Sequence, residues 1–359
     1  MKFCSIHILL FAISQSFFLL FVLPAFGQSG AKGLFDSDEP LLISLRGEVR
    51  ELLKDRSAVS NLHPLTLMYK EEGGSEIAIP VLVKTRGHFR KLKENCSYPP
   101  LMIHFAKNPQ QHSTIFREQS KLKLVMPCAA DEYIIREWLV YKIYNLITPG
   151  SFKARLVRML LEDVRSRKPA NAFFGILLEE EKQMSRRNKM LSLNKKLLPQ
   201  QTNPEAFHQM AVFEYLIGNT DWSVQFLQNI KLMAKDSTTA PVPVPYDFDH
   251  SGIVRAPYAH PPEELQLHST RHRRYRGYCM VKLNIFEPVI AKFNKAKEDI
   301  YKLYQDCTLL DAKYVRYVTQ FLDEFYETIN DKAAWKKEFG YPCDKSGTGN
   351  IVIKGLITD

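Results

Sequence analysis

Two stretches decide how this chain is read: Leu216-Ile217-Gly218-Asn219-Thr220-Asp221-Trp222-Ser223 and, beyond Asn229, Pro245-Tyr246-Asp247-Phe248-Asp249-His250-Ser251-Gly252. Residues 204–217 are apolar on most faces, which predicts a buried helix that delivers Asp221 into a loop. Two short strands, around 229–233 and 242–248, then carry Asn229 and Asp247 to the same end. Moving a phosphoryl group requires a divalent cation held by oxygen ligands, and a carboxylate beside the accepting hydroxyl to orient it and take its proton. Asp247 and Asn229 offer hard oxygen ligands, Asp249 competes with Asp247 for that place, and Asp221 is the candidate base. The plainer reading of the same residues is a helix end with its turn, followed by a strand end with a capping carboxylate.

Toward the N-terminus, 41–45, 65–69, 77–86, 101–105 and 121–125 read as strands of a small, mostly antiparallel sheet. In the third, Ile77, Ile79, Val81 and Val83 share one face while Leu82, Lys84 and Arg86 share the other, the period of two expected of a half-buried strand. A helix over 131–146 carries Glu137. Lys123 followed by Glu137 has the order needed for a strand lysine that grips phosphate and a helix glutamate that holds the lysine, with Lys84 and Lys121 as rivals to Lys123. The cheaper reading of Lys121 and Lys123 is the solvated face of an edge strand. Segments 155–161 and 172–179 read as a hairpin, and the polar, basic stretch after them as a boundary. Past the second quoted stretch a Pro-, His- and Arg-rich connector reaches Tyr278, and the remainder is helical, with one helix over 281–304 and a second carrying Tyr314, Val315, Val318, Phe321, Leu322, Phe325 and Ile329 at helical spacing. The expected organisation is residues 1–27 as a signal peptide, 28–180 as a β-rich lobe, 181–203 as a basic linker or insertion, and 204–359 as a helical lobe bearing the catalytic and metal-binding loops.

This order of parts resembles the atypical kinase branch represented by the spore-coat protein CotH, over about residues 81–252. The likeness lies in Lys84-Thr85-Arg86-Gly87-His88-Phe89-Arg90 for the family's basic segment, 131–147 for its first helix, Phe174-Gly175-Ile176-Leu177-Leu178-Glu179 for its strand running to a glutamate, and the two stretches quoted first. The resemblance implies an α+β, bilobal protein-kinase-like fold with an antiparallel N-lobe sheet, one helix, and a mostly helical C-lobe. It also implies ATP and Mg²⁺ as cofactors, with γ-phosphoryl transfer to a protein hydroxyl. On it, Asp221 is catalytic; Lys123, Glu137, Arg86, Lys84 and Glu179 are nucleotide-binding; Asn229, Asp247 and Asp249 face the metal. The chain departs from protein kinases in having no H-R-D, an Asp-to-Asn spacing of eight, Asp247-Phe248-Asp249 for D-F-G, and no glycine-rich phosphate loop.

The remaining signals bound the alternatives. The 359 residues are 45% hydrophobic with no fixed-period repeat, which excludes disordered, collagen-like and rod-like classes. Motifs of P-loop, zinc-protease, serine-hydrolase and dinucleotide-binding type are missing from the sequence. A net charge of +10 directs attention to anionic partners. The apolar run 8–26 after Lys2 predicts a cleavable signal and a secreted or periplasmic protein without a later span, the competing reading being an uncleaved anchor. Five cysteines then remain, so at least one thiol is free, and Cys96 with Cys128 is the preferred pair. Expected partners are ATP and a protein acceptor, acidic or rich in Ser and Thr, with nucleic acid not expected. Two competing functions are an inactive kinase-shaped module that binds a nucleotide, phosphate or envelope protein, and a polyanion-binding protein using the arginines of 271–276.

Overall fold

The alternating pattern of the N-terminal half becomes seven strands: β1 (Leu41–Gly47), β2 (His63–Lys70), β3 (Glu76–Thr85), β4 (Leu101–Phe105), β5 (Lys121–Val125), β6 (Ala154–Asp163) and β7 (Phe173–Leu178). A computed structural model describes residues 33–70, 74–106, 109–167 and 169–347, all within one compact unit, Lys32–Asp359. Short helices α1 (Val49–Lys54) and α2 (Pro109–His112) and the longer α3 (Asp131–Ile147) lie between strands. Neighbouring strands pair antiparallel in the order β1-β2-β3-β4-β5-β7-β6. The register sets Lys84 opposite Met102, and Met102 opposite Lys123.

The two edges then meet. β1 pairs in parallel with β6, Leu41 opposite Val157 through Gly47 opposite Asp163, and closes the seven strands into a barrel. This corrects the expected α+β bilobal kinase-like fold with an antiparallel sheet lobe: the sheet is mixed and has no free edge. The reason is physical. Side-chain alternation reports which face of a strand is buried, whereas a parallel partner more than a hundred residues away leaves no local turn signal.

Beyond the barrel come α4 (Glu181–Arg187), β8 (Leu191–Leu193), α5 (Pro204–Ile217), β9 (Ile230–Ala234) and β10 (Val242–Pro245). The stretch 181–203 thus carries α4 and β8, and β8 pairs with β9 in a sheet of order β10-β9-β8. Helix α5 begins where Asn203 Oδ1 accepts the Ala206 N–H at 2.9 Å, with Pro204 at a position that needs no donor. It ends at Gly218, whose φ of 67° is the left-handed cap that glycine allows most cheaply. Helices α6 (Phe286–Gln305), α7 (Ala312–Asn330) and α8 (Lys332–Gly340) complete the C-terminal half.

Two apolar cores result, and they share a wall. Along β5, β7 and β6 the side chains alternate between them: Leu122, Leu124, Leu177, Val157 and Met159 fill the barrel, while Val125, Ile176, Leu178, Ala154 and Leu156 pack with α3, α5 and the C-terminal helices. A strand wetted on neither face reads as a near-continuous apolar run, as Phe173–Leu178 does. The buried side of α7 is Tyr314, Val318, Phe321, Leu322, Phe325 and Ile329, as the helical spacing requires.

Cys96 is bonded to Cys128, and Cys279 to Cys343, leaving Cys307 as the free thiol among the described residues. Two disulfides fit an oxidising, extracytoplasmic setting. Among the described residues no helix is long and apolar enough to cross a membrane. The proposed signal peptide and Cys4 lie outside the described residues.

Candidate functional site

The loop after α5 and the loop after β10 converge on a cavity of about 390 Å³, lined by Arg86, Arg90, Asp221, Asn229, Asp247 and Asp249 among others. Asp221 is held there by a dense local frame. Its own N–H donates to Asn219 Oδ1 at 3.0 Å, and Asn229 Nδ2 donates both to its carbonyl at 2.8 Å and to its Oδ2 at 3.0 Å. Its Oδ1 is buried without a partner among the described residues. Burial pushes the Asp221 pKa up, with Asp247 and Asp249 adding to the rise and His250 and Arg276 opposing it. Beneath the loop, Arg276 donates to the carbonyls of Thr220 at 2.5 Å and Trp222 at 2.6 Å, so the backbone on both sides of Asp221 is fixed by one guanidinium.

Asp247 and Asn229 share an unusual backbone, with φ of 67° and 51°. Left-handed conformations are sparse for residues with a side chain, and Asn and Asp tolerate them best. The Tyr246 N–H donates to the Asn229 carbonyl at 3.0 Å and the Asp247 N–H to the Tyr141 hydroxyl at 2.9 Å, which locks both turns. Burial also raises the Asp247 pKa, Asp249 reinforces this, and Arg90, Arg86 and Lys123 oppose it.

The third carboxylate is committed elsewhere. Asp249 Oδ2 accepts the Tyr258 hydroxyl at 2.9 Å and Arg90 Nη1 at 3.4 Å. Burial resists its ionisation, yet His250, Arg90 and the Tyr258 hydroxyl together hold it below the ordinary carboxylate range. Arg90 is itself buried, donates a second bond to the Met126 carbonyl, and keeps its charge because Tyr258, Asp249, Glu137 and Asp247 outweigh the cost of burial.

Glu137 and Lys123, paired in the expectation, occupy different surroundings. Glu137 on α3 is 1% exposed, with one oxygen unpartnered and the Phe248 N–H steadying the carboxylate. Burial drives its pKa well above the usual value, and its charged neighbours are Asp249, Arg90 and Asp247. Lys123 stands on the outer face of the barrel with Nζ 4.2 Å from the centre of the Tyr246 ring, and no ion pair joins it to Glu137. Burial first, then Arg86 and Lys231, bring the Lys123 pKa down to about 7, while Asp247 and Glu181 pull the other way.

Arg86 lines the cavity. Lys84 lies outside the lining, near Lys91 and His104. Glu179 is also outside it, engaged by Arg187 through Nε at 3.0 Å and Nη2 at 2.8 Å and by the Lys153 N–H at 2.9 Å. Lys121 pairs with Glu180 at 3.3 Å. Arg90, Tyr141, His250, Tyr258 and Arg276 complete the site without having been assigned to the cleft. Arg90 ends the quoted basic segment and His250 adjoins Asp249, so both were within reach of the spacing argument; Arg276 stood in the basic run 271–276 read as a polyanion-binding segment, and Tyr258 in a connector with no motif.

Among the described residues no group of three or more His, Cys, Asp or Glu side chains is arranged to hold a metal ion. A cation that arrives with phosphates needs less, since Mg²⁺ keeps waters and commonly takes one or two protein carboxylates. Asp247, whose carboxylate accepts no hydrogen bond among the described residues, and Asn229, whose Nδ2 is spent on Asp221 and whose Oδ1 is therefore the remaining ligand atom, fit that lighter requirement. The arrangement thus sets acceptor oxygens beside Arg86 and a base-like carboxylate within one cleft. No protein-family model matches the chain, and no curated protein matches it.

Proposed function

We propose that this cleft binds the phosphates of ATP together with Mg²⁺ and transfers the γ-phosphoryl group to a hydroxyl of a protein acceptor, as the resemblance to CotH-type kinases implies. The observation that carries the reading is the convergence of Asp221, Asn229 and Asp247 with Arg86 on one cavity. Asp221 Oδ1, buried and without a partner, takes the acceptor proton as its oxygen bonds to the γ-phosphorus and the bond from that phosphorus to the bridging oxygen breaks, releasing ADP. Burial makes that carboxylate more basic than an exposed aspartate, which suits the task. Arg86 offers a planar fork for phosphate oxygens, and Lys123, held near the cleft over Tyr246, adds a tunable positive charge. Mg²⁺, held by Asp247 and Asn229, supplies charge neutralisation when bound. The two disulfides support action in a secreted or periplasmic setting reached through the proposed signal at 1–27.

A second reading, a module that binds nucleotide or phosphate without turnover, is favoured by one observation: Lys123 and Glu137 do not pair, and Glu137 is turned toward Arg90 and the aspartates. Calorimetric titration with ATP across Mg²⁺ concentrations, run beside Asp247→Ala, tests both. Metal-dependent binding that disappears in the variant and is accompanied by ADP release supports the transferase. Binding with no ADP formed supports the module, and a folded, oxidised protein that binds no ATP overturns the transferase and leaves the module only as a binder of phosphate, which a titration with inorganic phosphate then tests.

A further inference from the structure

The arginines of 271–276 divide into structural and available groups. Arg273 donates to the Leu216 carbonyl and pairs with Glu324 at 3.2 Å, and Arg276 is committed beneath Asp221. Arg271 is different: it is exposed, and its guanidinium carbon lies 5.0 Å from the centre of the Tyr317 ring. The same ring carries a second exposed guanidinium, that of Arg255, at 4.3 Å. Arg255 has a φ of 60°, a conformation that a long side chain adopts at a cost. No carboxylate pairs with either arginine among the described residues, and the nearby acids are engaged, Glu324 with Arg273 and Asp311 with Arg136 at 3.7 Å. Stacking on an aromatic face fixes a guanidinium while leaving its N–H edge free for a bidentate acceptor. Two like charges held on one ring without a counter-charge form a receptor for anions.

The mounting of this pair ties it to the cleft. The Tyr317 hydroxyl donates to the Gly252 carbonyl at 2.9 Å. The Thr270 carbonyl, one residue before Arg271, is packed so closely on Gly218 and Gly252 that an added Cβ would stand 2.8 and 2.2 Å from it. Gly218 opens the Asp221 loop and Gly252 closes the segment holding Asp247 and Asp249, so the pair sits on the roots of both.

We infer that Arg255 and Arg271, held on Tyr317, are a docking point for the carboxylates of an acidic segment in the acceptor protein. The word acceptor rests on the function proposed above; the anion site does not. The test is fluorescence anisotropy of a labelled peptide containing six consecutive glutamates against a neutral peptide of equal length, using the full chain. The expected result is binding of the acidic peptide alone, weakened roughly tenfold in Arg255→Ala/Arg271→Ala. Lys332→Ala/Lys337→Ala, which removes the same charge from an exposed site elsewhere, is expected to leave affinity within about twofold. Arg255→Lys/Arg271→Lys, which keeps charge but loses the fork, should weaken binding by an intermediate factor, and circular dichroism checks that each variant is folded. Equal affinity in the Arg-to-Ala variant and the parent, or no binding by the parent, overturns the inference. So does an oligonucleotide of equal charge that binds more tightly with the same arginine dependence. Peptide binding in a protein that binds no ATP leaves the docking site standing while the cleft reading fails, and the reverse result separates them the other way.

Discussion

Asp247 and Asn229 adopt left-handed backbone within one cleft, at a cost of about 1–3 kcal/mol for each such position. Glycine at 247 removes both that cost and the carboxylate. Asp247→Gly is therefore expected to hold or raise stability in urea unfolding by about 1 kcal/mol while abolishing Mg²⁺-dependent ATP binding. A large loss of stability would mean that the Asp247 side chain supports the fold rather than a ligand. Asp221 tests a different property. Asp221→Asn keeps the shape and the contacts that frame the loop but cannot take a proton, so ATP binding should survive while transfer falls by about two to four orders of magnitude, read by radiolabel incorporation. That these residues line one cavity was legible because Asn219 and Asp221 stand in one short stretch, Asp247 and Asp249 in the other, and Asn229 between them. Arg90 was harder to see. Its importance comes from burial against Asp249 and Met126, which are far away in sequence.

At the scale of the element, α5 is the best case of sequence dictating structure. Asn203, Pro204 and Gly218 mark its ends, and its apolar run buries every residue from Phe207 to Ile217. That complete burial takes His208 along. His208 Nδ1 lies 2.7 Å from the Tyr275 hydroxyl, and burial lowers its pKa from 6.5 to about 4. The imidazole is thus neutral in the folded protein and gains a proton more readily when unfolded. Its contribution is present above about pH 6.5 and is lost as pH falls toward 4, by about 3 kcal/mol in all. The expected outcome is that the parent loses more stability than His208→Gln between pH 7 and pH 4.5 in parallel urea titrations. Equal slopes would show that the imidazole is reached by water. The short elements of 181–203 were less legible, since three residues of strand leave too little alternation to distinguish β8 from a loop.

The closure of the barrel was not legible at all, and the reason belongs to the whole molecule. The strand 77–86 announced its buried face by alternation, yet β1 and β6 are joined across most of the N-terminal half by backbone bonds that no local pattern encodes. Leu45 on β1, opposite Leu67 and Leu161, has no exposed surface in the barrel interior. Leu45→Ala should cost about 2–5 kcal/mol in chemical denaturation, as expected for a cavity in a closed interior. A cost below about 1 kcal/mol would show that the β1 seam is easily opened.

The wall made by β5, β7 and β6 belongs to both apolar cores. A hinge works by letting two rigid pieces turn about a thin joint, and here the joint would be a layer packed on both of its faces. Arg90, bonded to Asp249 and to the Met126 carbonyl, ties the segment from Arg86 to Arg90 to the same frame, so a guest meets a cleft whose walls already stand in place.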